Sequence, residues 1–280
     1  MWSKNGKKTL PKVMKQIEKV IPTEETHRKI LVDDHSTDKT RQIAKDFNWE
    51  ISLNPLGGIS SGANEALRHV DCEYFISIEQ DLVLTEDWWL KVPFYLNKPK
   101  VAVACGIRLT KKFETFSKIE EFAYARYRKR QESGKFDLDK FLYGKTIDNT
   151  IYKTKIIREI GGFPKLSVPA GVDNMLAYQV YLNGFEWFVD YSVKSEHLRQ
   201  SLKDELAHRY WYGTCYDGLS RALGISYPSL NKHILRLLFS PFRGLEIGIK
   251  KKDLKATYVY PLIRLNVLKG IVNSRKELVK

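Results

Sequence analysis

A pair of carboxylates ends one of the most apolar stretches of the sequence. Residues 74–78 read Y-F-I-S-I, a β-branched and aromatic run typical of a buried strand, and Glu79-Gln80-Asp81 follows directly. Two carboxylates that bracket one residue form a hard-oxygen site, which suits Mg²⁺ or Mn²⁺ bound together with substrate phosphates. Such a metal neutralises the charge that builds on a diphosphate leaving group. The alternative is that the strand ends on polar residues because the core ends there.

A second acidic pair stands in the same position after another strand. Residues 29–32 read K-I-L-V, and Asp33 and Asp34 follow them. Carboxylates at this position can accept hydrogen bonds from a base N–H or from a ribose hydroxyl. The end of the core alone would not require acids after both strands. The pattern therefore favours a shared binding site over that alternative.

The elements around these acids alternate between helix and strand. The pattern predicts helices over 8–20, 38–46 and 63–70, strands over 29–32, 49–53 and 74–78, and a flexible Gly/Ser loop over 57–62. This alternation indicates a doubly wound, mostly parallel α/β sheet with helices on both faces. Right-handed crossovers bring the carboxyl ends of such strands to one edge, where ligands bind in open sheets. The loop allows close backbone approach to a nucleotide, although it matches neither standard phosphate-binding glycine pattern.

The rest of the chain falls into two parts. Strands are predicted over 101–109 and 186–191, a strand running into a short helix over 150–160, and a helix over 173–183. Beyond about residue 200 no strand pattern remains, and basic residues alternate with apolar ones. We therefore expect a catalytic domain over 1–200 and a basic, amphipathic helical extension over 201–280.

Composition narrows the class of protein. The 280 residues are 43% hydrophobic, which is sufficient for a core, and three distant cysteines with no C-x-x-C favour a reducing compartment. The sequence predicts neither a signal peptide nor a membrane-spanning helix. The net charge is +14, and residues 201–280 hold 15 Lys and Arg against six Asp and Glu. Such a segment is drawn to the phosphates of nucleic acid or of anionic lipid, or is simply a solvated basic surface.

Four motifs in order carry a resemblance to a known family. They are L-V-D-D-H-S-T-D-K-T, then N-P-L-G-G-I-S-S-G-A-N-E-A-L, then E-Y-F-I-S-I-E-Q-D, then G-G-F-P followed by G-V-D-N. Together they resemble the family 2 glycosyltransferases over about residues 5 to 200. The resemblance implies a GT-A fold, a nucleotide-sugar donor, and Mg²⁺ or Mn²⁺ as cofactor.

The resemblance also implies roles for residues that bind the donor. Asp33 and Asp34 match the pair that contacts the nucleoside, and Asn64 matches an Asn in the helix before the metal-binding strand. Trp2 stands where an aromatic side chain would stack on the base.

The metal and the reaction are implied in the same way. Asp81 corresponds to the main metal ligand, with Glu79 toward the ribose or the metal, and His197 resembles a late His that reaches the metal or the diphosphate. Asp173 matches the general base, for which the alternative is a helix N-cap. The implied reaction is a single inverting displacement, in which a general base contributes roughly 10²- to 10⁴-fold. A UDP-sugar is favoured only as the commonest donor; the sequence names neither sugar, base nor acceptor.

Three departures from the family pattern are visible. Glu79 replaces the usual first Asp, and Val172-Asp173 replaces the usual acid pair at the base position. The family's first central strand is not evident, because the chain begins M-W-S-K-N-G. We therefore expect a first strand that is missing or truncated, either because residues upstream are absent or because the protein folds without it.

The basic extension predicts amphipathic helices. Apolar residues alternate with Lys and Arg over 230–252 and again over 258–269. A basic amphipathic helix can lie in the membrane interface with its cations on lipid phosphates. The alternative is a helix pair packed on the catalytic domain. Relatives that glycosylate lipid-linked glycans or polyprenyl phosphates have such tails, so the resemblance favours a cytoplasmic protein held peripherally on an anionic membrane through residues 230–280.

Three other functions remain as alternatives. A nucleotidyltransferase uses a related sheet but requires a basic Gly-rich loop on its first strand, and this sequence does not show one. A phosphoacceptor receiver domain shares the acid pair of I-L-V-D-D-H, but has no place for the 57–62 loop or the later G-G-F segment. A nucleic-acid-binding protein should interleave its basic residues with exposed aromatics, whereas here they interleave with aliphatics.

Overall fold

The computed structural model describes residues 1–132, 142–199, 201–224 and 229–277. Its contacts divide the chain into two compact units. Unit 1 comprises residues 1–109, 142–165 and 172–198, and unit 2 comprises residues 110–141, 166–171 and 199–280. Two earlier segments thus group with the C-terminal helices, and the division into domains 1–200 and 201–280 stays a prediction.

Unit 1 is an α/β unit. Its strands are β1 (Trp2–Ser3), β2 (Ile30–Asp33), β3 (Glu50–Leu53), β4 (Tyr74–Ile78), β5 (Leu82–Val83), β6 (Val101–Leu109), β7 (Asn149–Lys153) and β8 (Glu186–His197). Its helices, numbered along the whole chain, are α1 (Leu10–Val20), α2 (Thr40–Asp46), α3 (Gly58–Arg68), α4 (Trp88–Lys91), α6 (Thr154–Glu159) and α7 (Val172–Leu182). Two short 3₁₀ helices span Thr23–Glu25 and Pro93–Asn97.

The strands form two sheets. β1, β2 and β3 make a parallel sheet in that order, and the other five make a mixed sheet in the order β4-β7-β6-β8-β5. Within the mixed sheet β6 and β8 are parallel, whereas β7 is antiparallel to both β4 and β6. The α/β class with parallel pairing and a helical C-terminal region is thus confirmed, and the antiparallel β7 is a feature that the alternating pattern did not predict.

The first strand is present but short. Only Trp2 and Ser3 pair with β2, opposite Val32 and Asp33. The first strand is therefore not missing, and it forms one edge of the three-stranded sheet.

Helix α1 shows how the sequence pattern builds the core of unit 1. Its apolar residues recur every three or four positions and are all buried: Leu10, Val13, Met14, Ile17 and Val20. Pro11 is tolerated because it lies in the first turn, where no N–H partner is needed. This face packs into a cluster with residues of the strands, including Leu31, Ile78 and Ala104.

The predicted Gly/Ser loop is largely helical, which corrects the expectation. Gly57 and Gly58 both have positive φ, so the chain turns sharply there, and α3 then begins at Gly58. Asn54 Nδ2 donates to Gly58 O at 2.9 Å and holds the turn. The glycines serve the turn, and the Ser and Ala residues that follow are compatible with a helix.

Unit 2 is helical in its described residues. Its helices are α5 (Glu114–Glu132), α8 (Leu202–Leu223), α9 (Leu230–Leu238), α10 (Ser240–Lys251) and α11 (Ala256–Glu277). A Cβ at Gly213 would lie 2.3 Å from Val267 O, and one at Gly270 would lie 2.1 Å from Tyr210 O. Helices α8 and α11 therefore cross with their backbones in contact. No helix in the described part of the chain is both long enough and apolar enough to span a bilayer.

Candidate active site

Two carboxylates and one imidazole converge at the end of the mixed sheet. One ligand atom from each of Glu79, Asp81 and His197 lies within 4.8 Å of the others. Asp81 Oδ2 and His197 Nε2 are 3.3 Å apart, and the His197 side chain is only 5% exposed. The structure thus brings together the three residues that the sequence predicted as a metal site.

Strand pairing explains this convergence. Glu79 O accepts the N–H of Leu82 at 3.2 Å, which closes a tight turn after β4. The chain then enters β5, whose Leu82 pairs with His197 of β8 in antiparallel register. Asp81 O also accepts the N–H of Leu198 at 2.7 Å, so both backbone segments are held beside the site.

The donor set fits a divalent cation. Carboxylate oxygens suit Mg²⁺ and Mn²⁺, and an imidazole nitrogen is acceptable to Mn²⁺. Metal–oxygen distances near 2.1 Å place neighbouring ligand atoms about 3 to 4 Å apart, which is compatible with the observed cluster. Three protein ligands leave coordination positions for substrate oxygens.

Asp33 is deeply buried at the end of β2. Its side chain has no exposed surface, and Oδ2 accepts the N–H of Ser36 at 3.1 Å and lies 3.8 Å from Arg41 Nε. Asp33 Oδ1 is buried and has no hydrogen-bond partner among the described residues. A buried carboxylate oxygen without a partner is costly, so a ligand donor at this atom would be stabilising.

Asp34 lies beside the turn that precedes α3. Its Oδ1 accepts from Asn54 Nδ2 at 3.3 Å, and its Oδ2 lies 3.6 Å from Lys4 Nζ. A Cβ at Gly57 would lie 3.3 Å from Asp34 Oδ1, so the turn approaches this carboxylate closely. Asp34 therefore stands among the loop residues that the sequence placed near the nucleotide.

Gln80, between the two predicted metal ligands, connects the two sheets at this edge. Its Oε1 accepts from Ser3 Oγ at 2.5 Å and from the Lys4 N–H at 3.1 Å. Ser3 is the residue that pairs with Asp33. The ends of β2 and β4, each marked by an acidic pair, consequently lie on the same side of unit 1.

Asn64 and Trp2, the other predicted nucleotide contacts, pack toward the G-G-F segment. Asn64 Nδ2 donates to Phe163 O at 2.6 Å, and its Oδ1 accepts the Phe163 N–H at 2.9 Å. The Trp2 ring meets Phe163 edge-on with 6.5 Å between centroids. Asn64 therefore clamps the G-G-F turn, and a contact of either side chain with a nucleotide stays a prediction.

Asp173 lies in the first turn of α7. Its Oδ1 accepts the N–H of Asn174 at 2.9 Å. Burial raises the pKa of this carboxyl, while the Arg108 guanidinium opposes the rise and the Asp148 carboxylate adds to it. A carboxylate of raised pKa is a better proton acceptor than an exposed one.

Arg108 and Asp148 also lie in this region, and the sequence did not predict them as site residues. They form an ion pair, and Asp148 is fully buried with its Oδ1 lacking a partner among the described residues. Ile78 pairs with Asn149, so the residues that follow in register are Glu79 and Asp148. Their positions in the sequence could have indicated them. Arg108 is the next-to-last residue of the strand predicted over 101–109, and Asp148 lies just before the strand predicted from residue 150.

Comparisons with known proteins identify the family. The family model described as "Glycosyl transferase family 2" matches residues 1–161. The chain belongs to glycosyltransferase family 2. No curated protein sequence matches this family 2 glycosyltransferase.

Solved structures show that the family 2 chain has the GT-A fold. A mannosyltransferase from Pyrobaculum calidifontis, in complex with GDP-Man and Mn²⁺, is 14% identical with a TM-score of 0.63, over 99% of this chain and 86% of that one. The glucosyl-3-phosphoglycerate synthase of Mycobacterium tuberculosis, in complex with Mn²⁺, UDP and glucosyl-3-phosphoglycerate, is 13% identical with a TM-score of 0.53, over 81% of this chain and 79% of that one. S. aureus TarS, in complex with UDP-GlcNAc, is 13% identical with a TM-score of 0.52, over 99% and 90%.

Proposed function

We propose that this family 2 glycosyltransferase is metal-dependent and inverting, and that it transfers a sugar from a nucleotide-sugar donor to an acceptor hydroxyl. The observation that carries the proposal is the cluster of Glu79, Asp81 and His197 at a strand end, with donor atoms within 4.8 Å of one another. Mn²⁺ in the complexes of two similar structures supports a divalent cation at this position.

The metal site would hold the diphosphate of the donor. Asp81 and Glu79 supply carboxylate oxygens, and His197 supplies the imidazole nitrogen. A divalent cation bound there supplies positive charge that stabilises the departing diphosphate. Mg²⁺ and Mn²⁺ both suit the two carboxylates, and the imidazole favours Mn²⁺.

The nucleoside would lie beside the ends of β1 and β2. The unpartnered Oδ1 of Asp33 and the carboxylate of Asp34 can accept hydrogen bonds from a base or a ribose. Trp2 offers an aromatic ring near this edge, and Asn64 supports it by holding the G-G-F turn. A UDP-sugar is the favoured donor, while the similar structures contain GDP-Man, UDP or UDP-GlcNAc.

Asp173 would act as the general base. Its carboxylate takes the proton of the acceptor hydroxyl as the oxygen attacks the anomeric carbon of the sugar. The new C–O bond forms on the face opposite the diphosphate, and the old C–O bond breaks with its electron pair leaving on the nucleoside diphosphate. Inversion at the anomeric carbon follows from this single displacement. Burial, which raises the pKa of Asp173, makes it a stronger base.

Unit 2 offers a surface suited to an anionic membrane. We define the α9–α10 apolar patch as Leu235, Leu238, Phe239, Phe242 and Leu245, which are 42–71% exposed. Such exposed apolar residues mark interaction surfaces, and nearby Arg and Lys attract lipid phosphates. We propose that the patch enters the interface at the cytoplasmic face of an anionic membrane, which places the enzyme near lipid-linked acceptors.

Nucleotide binding tests the enzymatic proposal. Thermal unfolding should shift upward with UDP, GDP or CDP in the presence of Mn²⁺, with the largest shift for the cognate base. The Asp81→Asn variant should keep the melting temperature of the free protein and lose the Mn²⁺-dependent shift. No shift with any nucleotide in the wild-type protein would contradict the proposal.

Liposome flotation tests the membrane proposal. The Phe239→Ser/Phe242→Ser variant should lose binding to anionic vesicles, while the Leu90→Ser/Phe94→Ser variant serves as a matched control of exposed apolar residues in unit 1. Equal flotation of both variants would show that the patch is not the membrane contact.

A further inference from the structure

A second group of metal-ligating side chains lies in unit 1, apart from the cluster in the active site. One ligand atom from each of His27, Asp71 and Cys72 lies within 4.8 Å of the others. His27 precedes β2, and Asp71 and Cys72 precede β4. These strand ends are opposite to the ends that carry the acidic pairs, so the group belongs neither to the active-site metal cluster nor to the predicted nucleotide site.

The distances between these ligand atoms match a tetrahedral metal site. Asp71 Oδ1 lies 3.5 Å from His27 Nε2 and 3.6 Å from Cys72 Sγ. Around a tetrahedral Zn²⁺, whose bonds to nitrogen, oxygen and sulfur are about 2.0–2.3 Å long, neighbouring ligand atoms are about 3.4–3.6 Å apart. Both observed separations agree with this geometry, so a cation at the centre of the group requires only modest movement of the side chains.

Hydrogen bonds already join the two backbone segments that carry the group. Arg28, the neighbour of His27, donates through Nη1 to His69 O at 2.8 Å, which ties the segment ahead of β2 to the end of α3. Arg158 donates to Val70 O, just ahead of the other two ligands. The three donor side chains therefore stand on backbone that is fixed before any cation binds.

The arginine beside the group has its charge balanced by another acid. Arg28 Nε and Nη2 donate to the Glu50 carboxylate at 2.9 and 2.5 Å, whereas Arg28 Nη1 lies 4.0 Å from Asp71 Oδ2. The simpler alternative to a metal site is an ion pair of His27 with Asp71. Their side chains are 63% and 59% exposed, and pairs exposed to this degree contribute little stability. An ion pair also gives no role to the thiol.

The donor set selects the cation. A thiolate is a soft ligand that suits Zn²⁺, whereas Mg²⁺ and Mn²⁺ prefer oxygen. Sulfur, imidazole nitrogen and carboxylate oxygen are all ligands of protein zinc sites, and three of them leave the fourth tetrahedral position to water. We propose that His27, Asp71 and Cys72 bind Zn²⁺, and that the ion joins the segment ahead of β2 to the segment ahead of β4. The proposal does not depend on the transferase activity.

Cobalt titration tests the proposal, because Co²⁺ occupies zinc sites and gains a charge-transfer absorption band when a thiolate binds it. The full chain, freed of metal by dialysis against a chelator and kept in a phosphine reductant, should develop this band with the intensity of one thiolate-bound ion per chain. Zn²⁺ should remove the band, and excess Mg²⁺ should not. Absence of the band in the wild-type protein would overturn the proposal and leave the exposed ion pair as the explanation.

Variants identify the ligands. Cys72→Ser should abolish the band, and Cys215→Ser, at a buried cysteine of α8, is the matched control that should keep it. His27→Gln and Asp71→Asn should each weaken Co²⁺ binding at least about tenfold, because each removes one of three donors. Circular dichroism verifies the fold of each variant. A band that survives in Cys72→Ser would overturn the site, and so would unchanged Co²⁺ affinity in both His27→Gln and Asp71→Asn.

A double variant separates this site from the active-site cluster, which contains no thiol. Asp81→Asn/His197→Gln should keep the cobalt band at full intensity while it loses Mn²⁺ binding. Cys72→Ser should show the reverse, with the Mn²⁺-dependent thermal shift by nucleotide retained and the band lost. Loss of the band in the double variant would contradict an independent zinc site.

Zinc itself should bind and stabilise the same double variant. X-ray absorption at the zinc edge should show one sulfur neighbour at about 2.3 Å together with nitrogen and oxygen neighbours at about 2.0–2.2 Å. Zn²⁺ should raise the melting temperature of this variant, because it binds the folded chain, and adding His27→Gln should remove the rise. Nitrogen and oxygen neighbours without sulfur, or an equal rise with and without His27→Gln, would overturn the proposal.

Discussion

Asp81 and His197 face each other across the antiparallel pair of β5 and β8, with 3.3 Å between Oδ2 and Nε2. Their positions are 116 residues apart in the sequence, so only the return of β8 to the sheet edge places an imidazole beside the acidic motif. The backbone on both sides of the pair is hydrogen-bonded, which keeps the donor atoms in one region before any cation arrives.

Removing either ligand should weaken Mn²⁺ binding. We expect Asp81→Asn and His197→Gln each to reduce Mn²⁺ affinity at least about tenfold, because each removes one of three converging donors. Titration of free Mn²⁺ by electron paramagnetic resonance measures this directly. Glu86→Gln, an exposed acid in the same unit, is the matched control. Wild-type affinity in the His197 variant would exclude His197 from the site.

Asp173→Asn should abolish transfer and leave donor binding intact. The amide cannot accept the hydroxyl proton, so kcat should fall by roughly 10²- to 10⁴-fold. Nucleotide-induced thermal shifts should match those of the wild-type protein, because the change lies outside the metal cluster. Asn174→Ala, at the neighbouring residue, controls for disturbance of the first turn of α7. Full activity in Asp173→Asn would remove the proposed base.

The ion pair of Arg108 and Asp148 should tune the pH dependence of that base. Burial raises the pKa of Asp173, so activity should fall as the pH drops through this raised value and the carboxyl becomes protonated. Arg108→Gln removes the cation that lowers the pKa, and its acid limb should move to higher pH. Asp148→Asn removes an anion and should move the limb to lower pH. Profiles of kcat against pH, measured at saturating donor, test both directions.

Identical acid limbs in the wild-type protein and in the two variants would show that the ion pair does not influence the pKa of the base. A fall in kcat without a shift of the limb would indicate a purely structural role for Arg108 and Asp148. The acid limb is expected to move in opposite directions in the two variants. General damage to the fold would lower activity without shifting the two limbs in opposite directions, so the pH profiles distinguish the two causes.

Glu65 should stabilise the protein in a pH-dependent way. Hydrogen bonds from Arg68, Ser52 and His69 lower the pKa of this buried carboxyl from 4.5 to about 2. A depressed acid pKa contributes stability that is present above about pH 4.5 and is lost as the pH falls toward 2. Glu65→Gln should cost about 1–2 kcal/mol at pH 7 and less at pH 3.

Urea unfolding at the two pH values measures this difference. The exposed Glu24 on a short 3₁₀ helix offers a control, since Glu24→Gln should leave the free energy of unfolding nearly unchanged at both. A cost for Glu65→Gln that does not decrease at pH 3 would show that packing rather than charge makes the contribution.

Local patterns in the sequence were sufficient for most of the elements. The spacing of Leu10, Val13, Ile17 and Val20 predicts α1, and apolar runs ending on acids predict β2 and β4. The prediction was wrong at 58–62, where glycine content suggested a loop: two positive-φ glycines make a turn, and the helix begins within it. Composition does not distinguish a flexible glycine from one that a turn requires.

The residues that could do chemistry were determined by the sequence, because carboxylates and imidazoles at strand ends are recognisable without coordinates. Their assembly was decided by the tertiary structure. Antiparallel pairing brings His197 to Asp81, and the register of β4 with β7 places Asn149 opposite Ile78, neither of which local spacing encodes. Pairings between distant strands depend on the packing of the whole unit, and for this physical reason local sequence patterns do not predict them.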